Sequence, residues 1–233
     1  MKVKCLKIKD LKVGDIIFMR GKGFVSTSIS LLTKIPGIDF SHVAIYVGNG
    51  KVFDTVGNTK RTIKNRFQYI NHGGSDIRDL KNVLSDTKPI KLGVARLDYK
   101  FSRQKMLDVC NQLKGRKYTS LLKMIAPYSA HFDLKIYSSQ LTPTWFKNTI
   151  TFNRNMAKSD LKILKIHSLS RGDDQYCSSL AICCIQYYLG HKIQVLSNCK
   201  VDLIQLSPND LFKQCGLDKK FDVFFIEHPR ANK

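Results

Sequence analysis

The chain is short of acid. Its 233 residues hold 18 Asp and Glu against 39 Lys and Arg, a formal charge of +21. That imbalance favours an anionic partner: nucleic acid, an acidic membrane surface or a polyanionic substrate. Long apolar runs are missing too. No stretch approaches the roughly 20 apolar residues of a transmembrane helix. The opening MKVKCLKIKD alternates charged and apolar residues where a signal peptide would have an apolar core. A cytoplasmic, reducing compartment is therefore expected. Cysteine is neither paired nor dense: there are seven, an odd number, with no Cys-x-x-Cys. No glycine-rich phosphate loop, zinc-finger spacing, internal repeat or low-complexity tract is present, so no cofactor and no metal site are expected. A set of His42, His72 and Cys177 matches no usual zinc spacing. The adjacent Cys183 and Cys184, inside an apolar run, read as small buried hydrophobes.

What is present suits one domain over 1–233. Hydrophobic residues make up 43% of the chain, enough to bury a core. Leu11-Lys12-Val13-Gly14-Asp15 reads as a turn feeding a strand over 16–19. Strands are expected at 42–47 and 51–56, joined through the tight turn Gly48-Asn49-Gly50. A short helix is expected over 24–35, a strand or extended segment over 60–70, a loop over 71–76 and a strand over 89–98. Residues 102–114 carry an apolar stripe of Met106, Val109, Cys110 and Leu113, with Ser102 as N-cap and Gly115 as the stop. Residues 177–189 predict a buried helix closed by Gly190. Ser207 caps a helix with Pro208 in its first turn, and 221–226 is a last strand. The order predicts an α+β fold, an antiparallel sheet with packed helices on one side. Residues 119–170 show no period and read as a basic insertion. From 99 to 171 the chain has 14 Lys and Arg against three Asp. With Trp145 and Phe146, this region is expected to offer a basic face to an anionic membrane or nucleic acid; the alternative is plain solvation of surface charge.

Two segments suggest chemistry. A cysteine acts as a nucleophile only as thiolate, which a helix N-terminus and a neighbouring imidazolium both favour. Cys177 opens the apolar helix. His42 starts a β-branched strand, and Asp54 lies across the hairpin, able to fix the imidazole tautomer. Cys177, His42 and Asp54 are the candidate catalytic residues. Each alone has a plainer reading, as a core thiol, a structural histidine or a hairpin-end acid. N–H groups at the helix start, around Tyr176 and Ser178, could hold an oxyanion.

The run Leu11-x-x-Gly14-Asp15-Ile16-Ile17-Phe18, Ser41-His42-Val43-Ala44-Ile45-Tyr46, Val52-Phe53-Asp54, Tyr176-Cys177-Ser178-Ser179-Leu180 and Ser207-Pro208-Asn209-Asp210-Leu211 resembles the circularly permuted NlpC/p60-like, papain-like superfamily. YiiX/YaeF-like proteins, lecithin:retinol acyltransferase relatives and a poxvirus protein family belong to that group. Gly115-Arg116-Lys117-Tyr118 is similar to the Gly-x-x-Tyr segment found there. The resemblance implies a permuted papain-like fold with Cys177 as nucleophile at the start of a buried helix, His42 as base and Asp54 as third polar residue. Asp stands where the YiiX-like and poxvirus branches usually have Glu, one methylene longer, and where the acyltransferase branch has His. It also implies a cysteine hydrolase cleaving an amide or ester through an acyl-enzyme; the missing signal peptide and the basic insertion, rather than the resemblance, put a lipid or lipid-modified substrate ahead of peptidoglycan. The alternative is a virus-encoded or virion-associated interaction protein, with a vestigial site, that binds nucleic acid or anionic membrane. The sequence does not specify an oligomeric state.

Overall fold

The computed structural model describes residues 4–22, 26–27, 29–30, 33, 35–56, 74–115, 117–118, 174–175, 177–190, 196 and 206–229. The expected segment over 60–70, the insertion over 119–170 with Trp145 and Phe146, and Tyr176 lie outside these residues. The chain divides into a unit of 1–118 with 175–233 and a second unit of 119–174. His42, Asp54 and Cys177 all belong to the first unit.

The strands are β1 (Lys4–Cys5), β2 (Ile16–Met19), β3 (His42–Gly48), β4 (Lys51–Val56), β5 (Gly74–Asp79), β6 (Leu92–Leu97), β7 (Lys117–Tyr118), β8 (Asp174–Gln175) and β9 (Phe221–Ile226). The helices are α1 (Leu80–Ser85), α2 (Arg103–Leu113), α3 (Cys177–Leu189) and α4 (Pro208–Leu217). Across the sheet the order runs β1-β9-β6-β2-β3-β4-β5-β7. All these pairings are antiparallel except that of β1 with β9. The architecture is α+β, as expected.

The side-chain period of two decides which residue faces which layer. Val43, Ile45, Val47 and Phe53 pack on one face with α2, α3 and α4. Ala44, Tyr46 and Val52 lie on the other, under Leu80, Val83 and Leu84 of α1. Helices therefore cover both faces, not one. The expectation failed because α1 has only six residues and follows directly on β5, too short to show a helical period. Double coverage also explains why all four residues of β2 are buried.

A second correction concerns 71–76. Gly73, Gly74, Ser75 and Asp76 read as a loop, yet residues from Gly74 onward form β5, paired residue by residue with β4. The hairpin turn behaves as the sequence implies: Gly48, Asn49 and Gly50 all have positive φ, of 90°, 53° and 68°. Helix α2 buries the four residues of its stripe. Ser102 occupies the N-cap position without a side-chain cap bond, and its N–H instead donates to the Tyr188 hydroxyl at 2.7 Å. Ser207 does cap α4, accepting from the Asp210 N–H at 3.0 Å. Of the expected helix over 24–35, Ser26, Thr27, Ile29 and Ser30 are helical among the described residues.

Candidate active site

Three elements end together at one end of the sheet. His42 is the first residue of β3, Asp54 lies near the end of β4 and Cys177 is the first residue of α3. The register Ile45↔Phe53 sets Asp54 level with Ala44, so Asp54 and His42 share a face one diagonal step apart. Their side chains meet: His42 Nε2 is 3.0 Å from Asp54 Oδ2. The Cys177 side chain also acts on the ring, raising its pKa. The structure thus brings His42 and Asp54 into contact and sets Cys177 near enough to act on the ring.

Burial and charge set the state of the ring. The Asp54 side chain is fully buried, while that of His42 keeps 19% of its surface in contact with solvent. Cys177 is buried and carries no disulfide. Burial of His42 lowers its pKa. The hydrogen bond to Asp54, the hydrogen bond and charge of Cys177, and the charge of Asp54 together outweigh it, raising the pKa from 6.5 to about 10. The imidazole therefore holds its proton at neutral pH, and an imidazolium stabilises a neighbouring thiolate.

The Ser178 hydroxyl donates to the Leu206 carbonyl at 2.6 Å, which ties the start of α3 to the segment before α4. What Ser178 can offer a substrate is its backbone N–H, in the first turn of α3. The segment leading into His42 is pinned by Asn209, whose side chain spans Phe40 and Thr33. Arg78 is the residue the sequence did not reveal. It stands on β5 with its guanidinium 3.5 Å from Asp54 Oδ2. The only sequence signal for it is that Ile77 and Arg78 follow Gly-Gly-Ser-Asp in alternation, and a turn reading masks that pattern. Among the described residues no group of three or more His, Cys, Asp or Glu is placed to hold a metal ion. None of the described helices is long and apolar enough to cross a membrane.

No family model matches the chain, and no curated protein matches it in sequence. Among solved structures, the metalloprotein YiiX of Escherichia coli O157:H7 aligns over 94% of this chain and 90% of its own, at 17% identity and a TM-score of 0.42.

Proposed function

We propose that this chain is a cysteine hydrolase of permuted papain-like type, cleaving an amide or ester through a thioester acyl-enzyme. The observation that carries the reading is the His42 ring, held by the buried Asp54 and near enough to Cys177 for the thiol to act on it. The order of the motifs, histidine strand before cysteine helix, supports it. In the first step the Cys177 thiolate attacks the carbonyl carbon and the carbonyl π electrons move to oxygen. N–H groups in the first turn of α3, Ser178 among them, are suited to that oxyanion. The intermediate collapses, the carbon–nitrogen or carbon–oxygen bond breaks, and His42 gives its proton to the leaving amine or alcohol. A water then attacks the thioester, His42 takes its proton, and the carboxylic acid departs with the thiolate restored. Asp54 orients the ring and stabilises its charged form throughout.

The charge of +21 supports a lipid or lipid-modified substrate at an anionic surface in the cytoplasm, docked through the basic region 99–171. The same charge favours a second reading, an interaction protein of viral type with a vestigial site, and the thiol separates the two. Cys177 should react with iodoacetamide at neutral pH faster than the other six cysteines. Acyl esters, peptides and phospholipids should then be tested with intact protein and with Cys177→Ala. Turnover should vanish in Cys177→Ala, nearly vanish in His42→Ala and persist in part in Asp54→Ala. An unreactive Cys177, or full hydrolysis by Cys177→Ala, defeats the hydrolase reading. Docking is tested by co-sedimentation with anionic liposomes, and separately with DNA, at low and high salt. Binding to neither, even at low salt, removes the anionic partner.

A further inference from the structure

We propose that Arg78 is a positioning residue of this site, acting on His42 through Asp54; the inference rests on the hydrolase reading above. Asp54 is held by one oxygen. Oδ2 meets both His42 Nε2 at 3.0 Å and an Arg78 guanidinium nitrogen at 3.5 Å. Oδ1 is buried with no hydrogen-bond partner among the described residues. A carboxylate buried with one free oxygen is costly unless a cation sits beside it. The carboxylate of Asp76 deepens the problem, because Asp76 pairs directly opposite Asp54 on the same face. Like charges facing each other across a strand pair destabilise it.

Arg78 answers both demands. It pairs with Val52, one diagonal step from Asp54 on the shared face. Its charge also acts on Asp76, whose carboxyl is held below its ordinary range chiefly by the hydrogen bond from Lys114, with Arg78 a smaller contributor. Its other guanidinium nitrogen lies 3.5 Å from Asp86, at the end of α1. Arg78 is thus anchored outside by Asp86 and inside by Asp54. Without it, the carboxylate has only the His42 ring to hold it and can turn its free oxygen inward. The ring then loses the fixed partner that keeps it protonated and aimed at Cys177.

The test measures iodoacetamide alkylation of Cys177 by peptide mass spectrometry, in full-length protein whose fold is checked by circular dichroism. An imidazolium favours the thiolate at a pH where an unpaired thiol stays protonated, so the rate at about pH 6 depends on the ring and that dependence fades as the pH rises to about 10. Arg78→Met should slow alkylation about tenfold at pH 6 and leave it at the wild-type rate at pH 10. Arg78→Lys should recover part of the loss. In an Asp54→Ala background, Arg78→Met should add nothing. An equal rate at pH 6, an equal loss at both pH values, or an undiminished loss in the Asp54→Ala background each overturns the inference. Should Arg78→Met fail to fold, Asp86→Asn at the exposed anchor carries the test. It should slow alkylation about twofold at pH 6 only, and no change overturns the inference. The two proposals fail differently. A wild-type Cys177 no faster than the other cysteines removes the hydrolase reading and Arg78 with it; a selective wild-type Cys177 unaffected by Arg78→Met removes Arg78 alone.

Discussion

Asn209 and Phe40 are 169 residues apart in sequence, and the Phe40 N–H donates to Asn209 Oδ1 at 2.7 Å. The same side chain donates to the Thr33 carbonyl at 2.9 Å and its hydroxyl at 3.1 Å. One fully buried amide on α4 therefore holds both ends of the segment that runs into His42. Asn209→Ala leaves the Phe40 N–H and the Thr33 carbonyl short of partners. A buried orphan group costs about 1–3 kcal/mol, so the variant should lose about 2–4 kcal/mol in urea unfolding. Asn209→Asp, which keeps the acceptor for Phe40, should lose less at low pH, where its carboxyl can donate. A variant as stable as wild type would show that the contact contributes nothing.

Gly93 makes room for the rings in front of that segment. A Cβ there would lie 2.6 Å from Phe40 Cζ and 2.8 Å from Phe212 Cε2. These rings pack edge-on at 5.1 Å, and Phe212 packs the same way on Phe18 at 5.0 Å. Both rings are buried, so Gly93→Ala should cost about 1–3 kcal/mol by overpacking. Phe40 is two residues from His42, so the displaced ring should also slow Cys177 alkylation. A neutral thermal shift and an unchanged alkylation rate would sink this prediction.

Much of this was legible in the sequence where local chemistry and tertiary demand agree. Helix α3 and strand β9 fall on the residues expected, since a mostly apolar run has few other places to go. The hairpin was readable from Gly48-Asn49-Gly50, and it fixed the register that brings Asp54 beside His42. The failures have a common cause. Strand β5 opens with residues that suit turns, and only pairing along the whole of β4 makes it a strand. Missing β5 meant missing Arg78. Helix α1 is held by Leu80, Val83 and Leu84 against the sheet, a tertiary contact with no local signature. The reach of Asn209 to Thr33 and Phe40 is likewise a long-range fact that no spacing in the sequence encodes.

Away from the site, Asp15 tests how the sheet is stabilised. Its carboxylate is buried and takes a two-pronged grip from Arg96, Nε to Oδ1 and Nη2 to Oδ2, each at 2.8 Å. The Arg96 guanidinium also lies 5.2 Å above the Phe224 ring. Breaking such a pair from one side strands a buried charge, at about 3–5 kcal/mol. Arg96→Met should show that loss in chemical denaturation. Asp15→Asn with Arg96→Met should lose less than Arg96→Met alone, because no charge is stranded. If the double variant is the weaker of the two, the pair is not the source of the loss.

The raised pKa of His42 gives a pH signature to stability itself. Burial works against the charged ring, but the Asp54 hydrogen bond, the Cys177 hydrogen bond and the two charges lift its pKa from 6.5 to about 10. The folded state therefore binds a proton that the unfolded chain has released between those values. A group raised on folding contributes stability that is complete below the unfolded pKa and is lost as pH rises through the folded one. The stability gap between wild type and His42→Gln should be widest near about pH 6, shrink through the alkaline range and close above about pH 10. Removing the thiol withdraws two of the causes that raise the ring. In a Cys177→Ala background the gap should therefore close at a lower pH. Urea denaturation at a series of pH values reads both curves. A gap that grows with pH would mean the ring is buried neutral, and the imidazolium on which the proposed chemistry depends would be absent.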